Sequence, residues 1–189
     1  MKKVLLSIFG LAVVAVLSIL GLAATKPGAF HIERKAAIAA PPATVFAVVN
    51  DLHRWSEWSP WEKMDPNMKK TYAGPESGVD ASYGWAGNDK VGEGRMTITE
   101  SQADSRVGIR LEFLKPWQST NQVAISLAPA GEGTEVVWAM DGTNNYMAKV
   151  FSVFMNMDQM IGKDFDTGLA NLKSLAESSP RPAVTDSTQ

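Results

Sequence analysis

Six tryptophans, nine methionines, two histidines and no cysteine limit the chemistry open to this 189-residue chain. Without a thiol there is no disulfide framework, zinc–thiolate site, iron–sulfur cluster or cysteine nucleophile. His31 and His53 are too few for a three-histidine metal site, and no spacing supports a mixed histidine–carboxylate one. His53, beside Arg54, reads as a surface residue of a short helix. Gly92-Glu93-Gly94 lacks the third glycine of a dinucleotide fingerprint and precedes a strand, whereas that fingerprint opens a helix. There is no Walker loop, no HExxH and no assignable Ser-His-Asp triad. Asp158, Asp164 and Asp166 fall on the solvated side of a helical pattern. No cofactor and no metal are expected. With 18 basic residues against 20 acidic ones and a net charge of -2, the chain has no basic stripe, so no nucleic-acid partner is expected either.

What remains is apolar chemistry. Trp55, Trp58 and Trp61 recur every three residues, the last two in the proline-punctuated loop Ser56–Pro66, and Trp85, Trp117 and Trp138 complete the set. Large rings dominate apolar burial. They serve either as core and loop anchors or, in the functional reading, as a lid (Trp58, Trp61) and a wall (Trp85, Trp138) of a ligand cavity. Methionines including Met140, Met155, Met157 and Met160 could add a soft, adaptable lining or simply fill the core.

Strand parity sharpens this. Side chains alternate across a strand, so Ser119 and Asn121 share the face of Val123, Ile125 and Leu127. By the same rule Glu100 shares a face with Met96 and Ile98, and Arg34 with Ile32 and Ile38. Polar groups among apolar walls orient ligands. The competing explanation is that they lie at strand ends, or that Arg34 and Glu100 pair. Asn121 is the leading single candidate.

The elements that must position these residues follow from periodicity. Ala29–Ala40 alternates as a strand after a Lys26-Pro27-Gly28 hinge. Pro41-Pro42 ends it and opens a short helix with Val45, Phe46 and Val49 on one side. A second helical turn covers Asp51–Trp55. Six strand-like runs follow at 69–72, 81–87, 95–101, 106–113, 118–127 and 134–140, separated by turn signals such as Gly74-Pro75 and Lys115-Pro116. Such short gaps predict an antiparallel meander, with Leu111 and Phe113 on the covered face. From Met147 to Ala176 apolar residues at helical spacing, among them Phe154, Met157 and Phe165, predict one helix of about eight turns lying on the sheet. Residues 177–189 are expected to be disordered.

The first 25 residues stand apart. Val4–Ala24 is a run of 21 residues without a charge, long enough at about 1.5 Å per residue to cross a hydrocarbon core of about 30 Å. Its length favours a retained anchor over a signal cleaved at Ala23-Ala24. Lys2 and Lys3 favour a cytoplasmic N-terminus, and Lys26, Arg34 and Lys35 weaken that bias. The expected arrangement is single-pass in the cytoplasmic (inner) membrane, with residues 29–176 as one domain on the external side.

The stretch Ala40–Asp51 (APPATVFAVVND), followed by Trp55-Ser56-Glu57-Trp58-Ser59-Pro60-Trp61, resembles the SRPBCC superfamily, and within it the polyketide cyclase/dehydrase and lipid-transport group. Gly74-Pro75, Trp85–Asn88, Gly92–Gly94 and Met157–Phe165 resemble it too, so that the likeness covers about residues 30–176. It implies an α+β helix-grip (START-like) fold: a curved antiparallel seven-stranded sheet, order β-α-α-β6-α, wrapped on a long C-terminal helix and here preceded by one transmembrane helix. It also implies an apolar cavity between sheet and helix; the residues expected to line it are Arg34, Trp58, Trp61, Tyr83, Trp85, Met96, Glu100, Leu111, Phe113, Asn121, Val123, Trp138, Met140, Phe154, Met157 and Phe165. Fold analogy does not fix activity. The leading expectation is a noncatalytic, membrane-anchored binder of a lipid or other hydrophobic small molecule. The alternatives are a cyclase-like enzyme using Glu100, Arg34 or Tyr83 for proton transfer, and an interaction module working through the Trp58–Trp61 loop with a partner the sequence does not specify.

Overall fold

The structure, a computed structural model, describes residues 2–179. An N-terminal helix, α1 (Lys2–Thr25), leads into β1 (Ala29–Ile38), α2 (Pro42–Val49) and α3 (Trp55–Trp58). Strands β2 (Lys69–Ala73), β3 (Ser82–Ala86), β4 (Glu93–Gln102), β5 (Arg106–Lys115), β6 (Ser119–Ala130) and β7 (Gly133–Thr143) follow, then α4 (Tyr146–Phe154) and α5 (Met157–Ser178). All strand pairs are antiparallel, in the order β1-β7-β6-β5-β4-β3-β2. The meander therefore runs unbroken from β2 to β7, and β1 closes it beside the last strand.

The expected single C-terminal helix is two. Met155 is extended (φ -127°, ψ 133°), and α5 restarts at Asn156, whose side-chain oxygen accepts from the Gln159 N–H at 3.1 Å. Asn145 caps α4 in the same way, accepting from Ala148 N–H at 2.9 Å. Asparagine at such a position satisfies one of the orphan donors of a helix start. The apolar spacing runs straight across the break, so periodicity could not reveal it. The helix α5 also continues to Ser178, past the start of the segment expected to be disordered; residues 180–189 lie outside those described.

The helix α5 grips the sheet through Phe165, Leu169, Leu172 and Ala176, all buried and spaced about one turn apart. Burying each larger side chain contributes about 1.5–3 kcal/mol. At the far end, Lys173 Nζ donates to Ala37 O at 2.7 Å and the Glu177 carboxylate accepts from Ala39 N–H at 2.7 Å, which ties α5 to the end of β1. Gly168 permits close approach: a Cβ there would meet the Trp138 ring at 2.6 Å.

Candidate functional site

Between the sheet and the middle of α5 the volume is filled by rings. Trp138, on β7, stacks on Phe165 with centroids 4.2 Å apart and planes 7° from parallel. Trp58, Trp61 and Trp55 meet Trp138 edge-on at 5.1, 5.8 and 6.1 Å. Edge-to-face and offset contacts of this kind add about 0.5–1.5 kcal/mol each beyond burial. Trp55 donates its indole N–H to Val49 O at 3.0 Å, whereas those of Trp58 and Trp138 have no acceptor among the described residues. Trp58 is 1% exposed, so it is a core residue and not a lid, and it is not available to a protein partner through its loop. Trp61 is half-buried at the edge of the same cluster.

A second group of candidates paves the inner face of β3–β5. Tyr83, Trp85 and Phe113 form a row of rings with successive centroids 6.1 and 5.8 Å apart, and Met96 and Leu111 are half-buried beside them. Gly94 leaves the space in which the Trp85 ring lies, and Trp85 Nε1–H donates to Val91 O at 2.9 Å. The Gly92–Gly94 segment thus seats a tryptophan. The Tyr83 hydroxyl donates to the Glu62 carboxylate at 2.7 Å, and Glu62 is also bonded by Lys70. Burial, then the Glu62 hydrogen bond, pushes the Tyr83 phenol well above its usual range, so it stays protonated and has no basic form near neutrality. Glu62 and Lys70 carry no signal in the sequence, because their pairing depends on the 3₁₀ turn at Pro60–Lys63 folding against β2.

Asn121 is buried on the inner face between the β5 and β7 positions, with Val123 and Met140 as a register pair next to it. Its side-chain oxygen occupies the space left by Gly142, beside the Phe30 ring. Glu100 is elsewhere. A bulge between Ile98 and Glu100 adds Thr99 to β4 and reverses the alternation. Glu100 therefore lies opposite Gly108 on the outer face, accepting from Arg106 Nε at 3.0 Å and Gln102 Nε2 at 2.7 Å. Neither the shared face with Met96 nor a pairing with Arg34 survives.

Arg34 does lie on the helix-facing side of β1, opposite Trp138 in register. Its guanidinium crosses the backbone of Gly162, where any Cβ would collide with it. It donates to both Asp158 oxygens at 3.1 Å, to the Asp158 carbonyl at 3.0 Å, and lies 3.5 Å from Asp166. Asp158 and Asp166 are thus a clasp for β1 and not merely a solvated edge. The Arg34 hydrogen bond holds the Asp158 carboxyl below the usual carboxylate range. A depressed acid contributes stability above its unfolded value of about 3.9 and loses it as pH falls through the folded value. Amide protection in the first turn of α5, corrected for the intrinsic exchange rate at each pH, is accordingly expected to fall as pH drops below about 4, and Arg34→Met to abolish that extra sensitivity; unchanged pH dependence in the variant would dismiss the clasp.

One open volume lies at the helix break. A pocket of about 530 Å³ is bordered by Lys26, Pro27, Ala29, Phe30, Asn144 and residues 152–158, including Phe154 and Met157. Its volume falls in the range of ligand sites, but it is a groove open to solvent, and it sits beyond the N-terminal end of α5 and not beneath its middle. The tryptophan stack explains the shift, because it occupies the space where the cavity was expected. Its walls are Phe30, Val153, Phe154, Met155 and Met157, and its polar groups Lys26, Asn144, Ser152, Asn156 and Asp158. Ala29, Phe30 and the hinge were not among the expected lining residues; only the position of the α4–α5 break brings them there.

A seven-stranded antiparallel sheet gripped by a C-terminal helix defines a helix-grip protein. The chain belongs to the polyketide cyclase / dehydrase and lipid transport family, whose family model matches residues 29–177. Solved structures share the fold at low identity. A protein from Chromobacterium violaceum is 14% identical, with 82% of this chain and 100% of that one covered and a TM-score of 0.57. The Aha1 dimer from Colwellia psychrerythraea is 14% identical over 79% of this chain and 97% of its own, with a TM-score of 0.57. A protein from Rhizobium leguminosarum is 11% identical over 80% and 96%, with a TM-score of 0.59. No curated protein matches the chain.

Proposed function

We propose that this protein is a membrane-anchored, noncatalytic binder of a lipid or similar amphipathic small molecule. The observation that carries the reading is the pocket of mixed apolar and polar lining at the α4–α5 break, beside the hinge that follows α1. Phe30, Val153, Met155 and Met157 would take an apolar chain, while Lys26, Asn144 and Asn156 would face its polar end. Family membership supports an apolar ligand. The helix α1 supports the anchor, being long and apolar enough to cross a membrane. Lys2 and Lys3 at its start support a domain on the outer side of the cytoplasmic membrane. No observation favours the proton-transfer alternative: Glu100 is committed to Arg106 on the outer face, and the Tyr83 hydroxyl to Glu62.

The test is a binding titration. The full chain in nanodiscs is expected to take up a fluorescent fatty-acid analogue, dansylundecanoate, saturably and above the signal of empty nanodiscs. Val153→Trp, which fills the pocket, is expected to weaken uptake about tenfold, equivalent to about 1.4 kcal/mol. Equal uptake by both proteins, or none beyond empty nanodiscs, would remove the proposal.

A further inference from the structure

The helix α4 has no buried residue, no acidic residue and one cation, Lys149. Met147, Phe151 and Phe154 recur at positions i, i+4 and i+7 and are 55%, 42% and 68% exposed. Trp117, in the β5–β6 turn, is 62% exposed and reaches the same face, its ring 5.6 Å from that of Phe151. A contiguous apolar face of this kind marks a binding surface.

The position of α4 on α1 identifies what covers it. The two helices pack together, Ala23 is fully covered, and the Tyr146 hydroxyl donates to Leu20 O at 3.0 Å. Leu20 precedes the helix end at Thr25 by five residues, about 7–8 Å along the axis. If α1 spans a bilayer, Tyr146 therefore sits about a turn inside the apolar edge, at the depth where tyrosine and tryptophan collect in membrane proteins. The amino group of Lys149 lies near Gly28 in the hinge, on the headgroup side of that level. A helix with one apolar face, a lysine and no carboxylate has the make-up of one that lies flat in the membrane interface.

We infer that α4 and Trp117 form a seat that lies in the lipid interface around the exit of α1. The pocket, which Phe154, Met155 and Pro27 help to line, then opens onto the bilayer. An apolar ligand passes between lipid and pocket without crossing water. This inference rests on the anchored binding reading above and specifies its entrance. The occupant of the face is the bilayer surface and not a second protein.

The chain has no native cysteine, so single labels report cleanly. Nitroxides at Phe151→Cys and Phe154→Cys, with Leu11→Cys in α1 and Arg95→Cys on the sheet as references, would be measured in the full chain. The vesicles would be phosphatidylcholine with phosphatidylglycerol. The readout is the ratio of collisions with oxygen to collisions with a water-soluble nickel chelate. The seat predicts ratios at 151 and 154 several-fold above that at 95 and approaching that at 11. Ratios at 151 and 154 equal to that at 95, with 11 still in lipid, would overturn the seat and leave the anchored binder standing. A low ratio at 11 would overturn both. Protection of 151 and 154 from both reagents would overturn the seat in favour of a protein partner.

Discussion

Trp138→Ala is expected to destabilise the domain by about 3–5 kcal/mol, the range for deleting a large buried aromatic side chain. The ring is 2% exposed, is stacked on Phe165, and receives the edges of three other tryptophans from the Trp55–Trp61 segment. Its loss would unseat α5 and that segment together, since both rest on it. Native stabilities of about 5–15 kcal/mol leave little margin for such a change. Trp117→Ala is the comparison, because that ring is exposed and its removal should stay within about 0.5 kcal/mol. Denaturant titration of both variants decides the matter; similar midpoints would mean that the ring stack is not the centre of the fold.

The second large effect concerns α1. Leu11 and Val14 lie near the middle of the uncharged run, and both are exposed on the isolated protein. An arginine at the centre of a spanning helix costs about 2.5–3.5 kcal/mol on insertion scales, and the lost leucine or valine adds a few tenths. Leu11→Arg with Val14→Arg should therefore oppose insertion by about 6–8 kcal/mol. After alkaline carbonate extraction the natural chain is expected in the membrane pellet and the double variant in the supernatant. A natural chain found in the supernatant, beginning after Ala24, would show a cleaved signal and end the anchored account.

The fold was legible because each strand carries its own alternation and each turn its own breaker. Leu111 and Phe113 mark one face of β5, and nothing interrupts the pattern in β6 between Asn121 and Leu127, so Asn121 could be assigned to the inner face. The parity rule failed at Glu100 because a bulge is a count of residues against a partner strand, which a single strand does not contain. The helix break at Met155 was hidden because Met157 and Ile161 keep the apolar spacing of α4. That break decides where the pocket lies, so the lining from Phe30 and the hinge was out of reach. The partners of Arg34 were also hidden: Asp158 and Asp166 are 124 and 132 positions away, and only the missing side chain of Gly162 admits the guanidinium between them.

Photolabelling tests the pocket most directly. The full chain in vesicles would be irradiated with a fatty acid bearing a diazirine on its alkyl chain, with and without excess palmitate, and the adducts mapped by peptide mass spectrometry. The account predicts adducts on Phe30, Val153, Met155 or Met157 that palmitate removes, alongside adducts on α1 that it does not. Adducts confined to α1, or pocket adducts indifferent to palmitate, would contradict it.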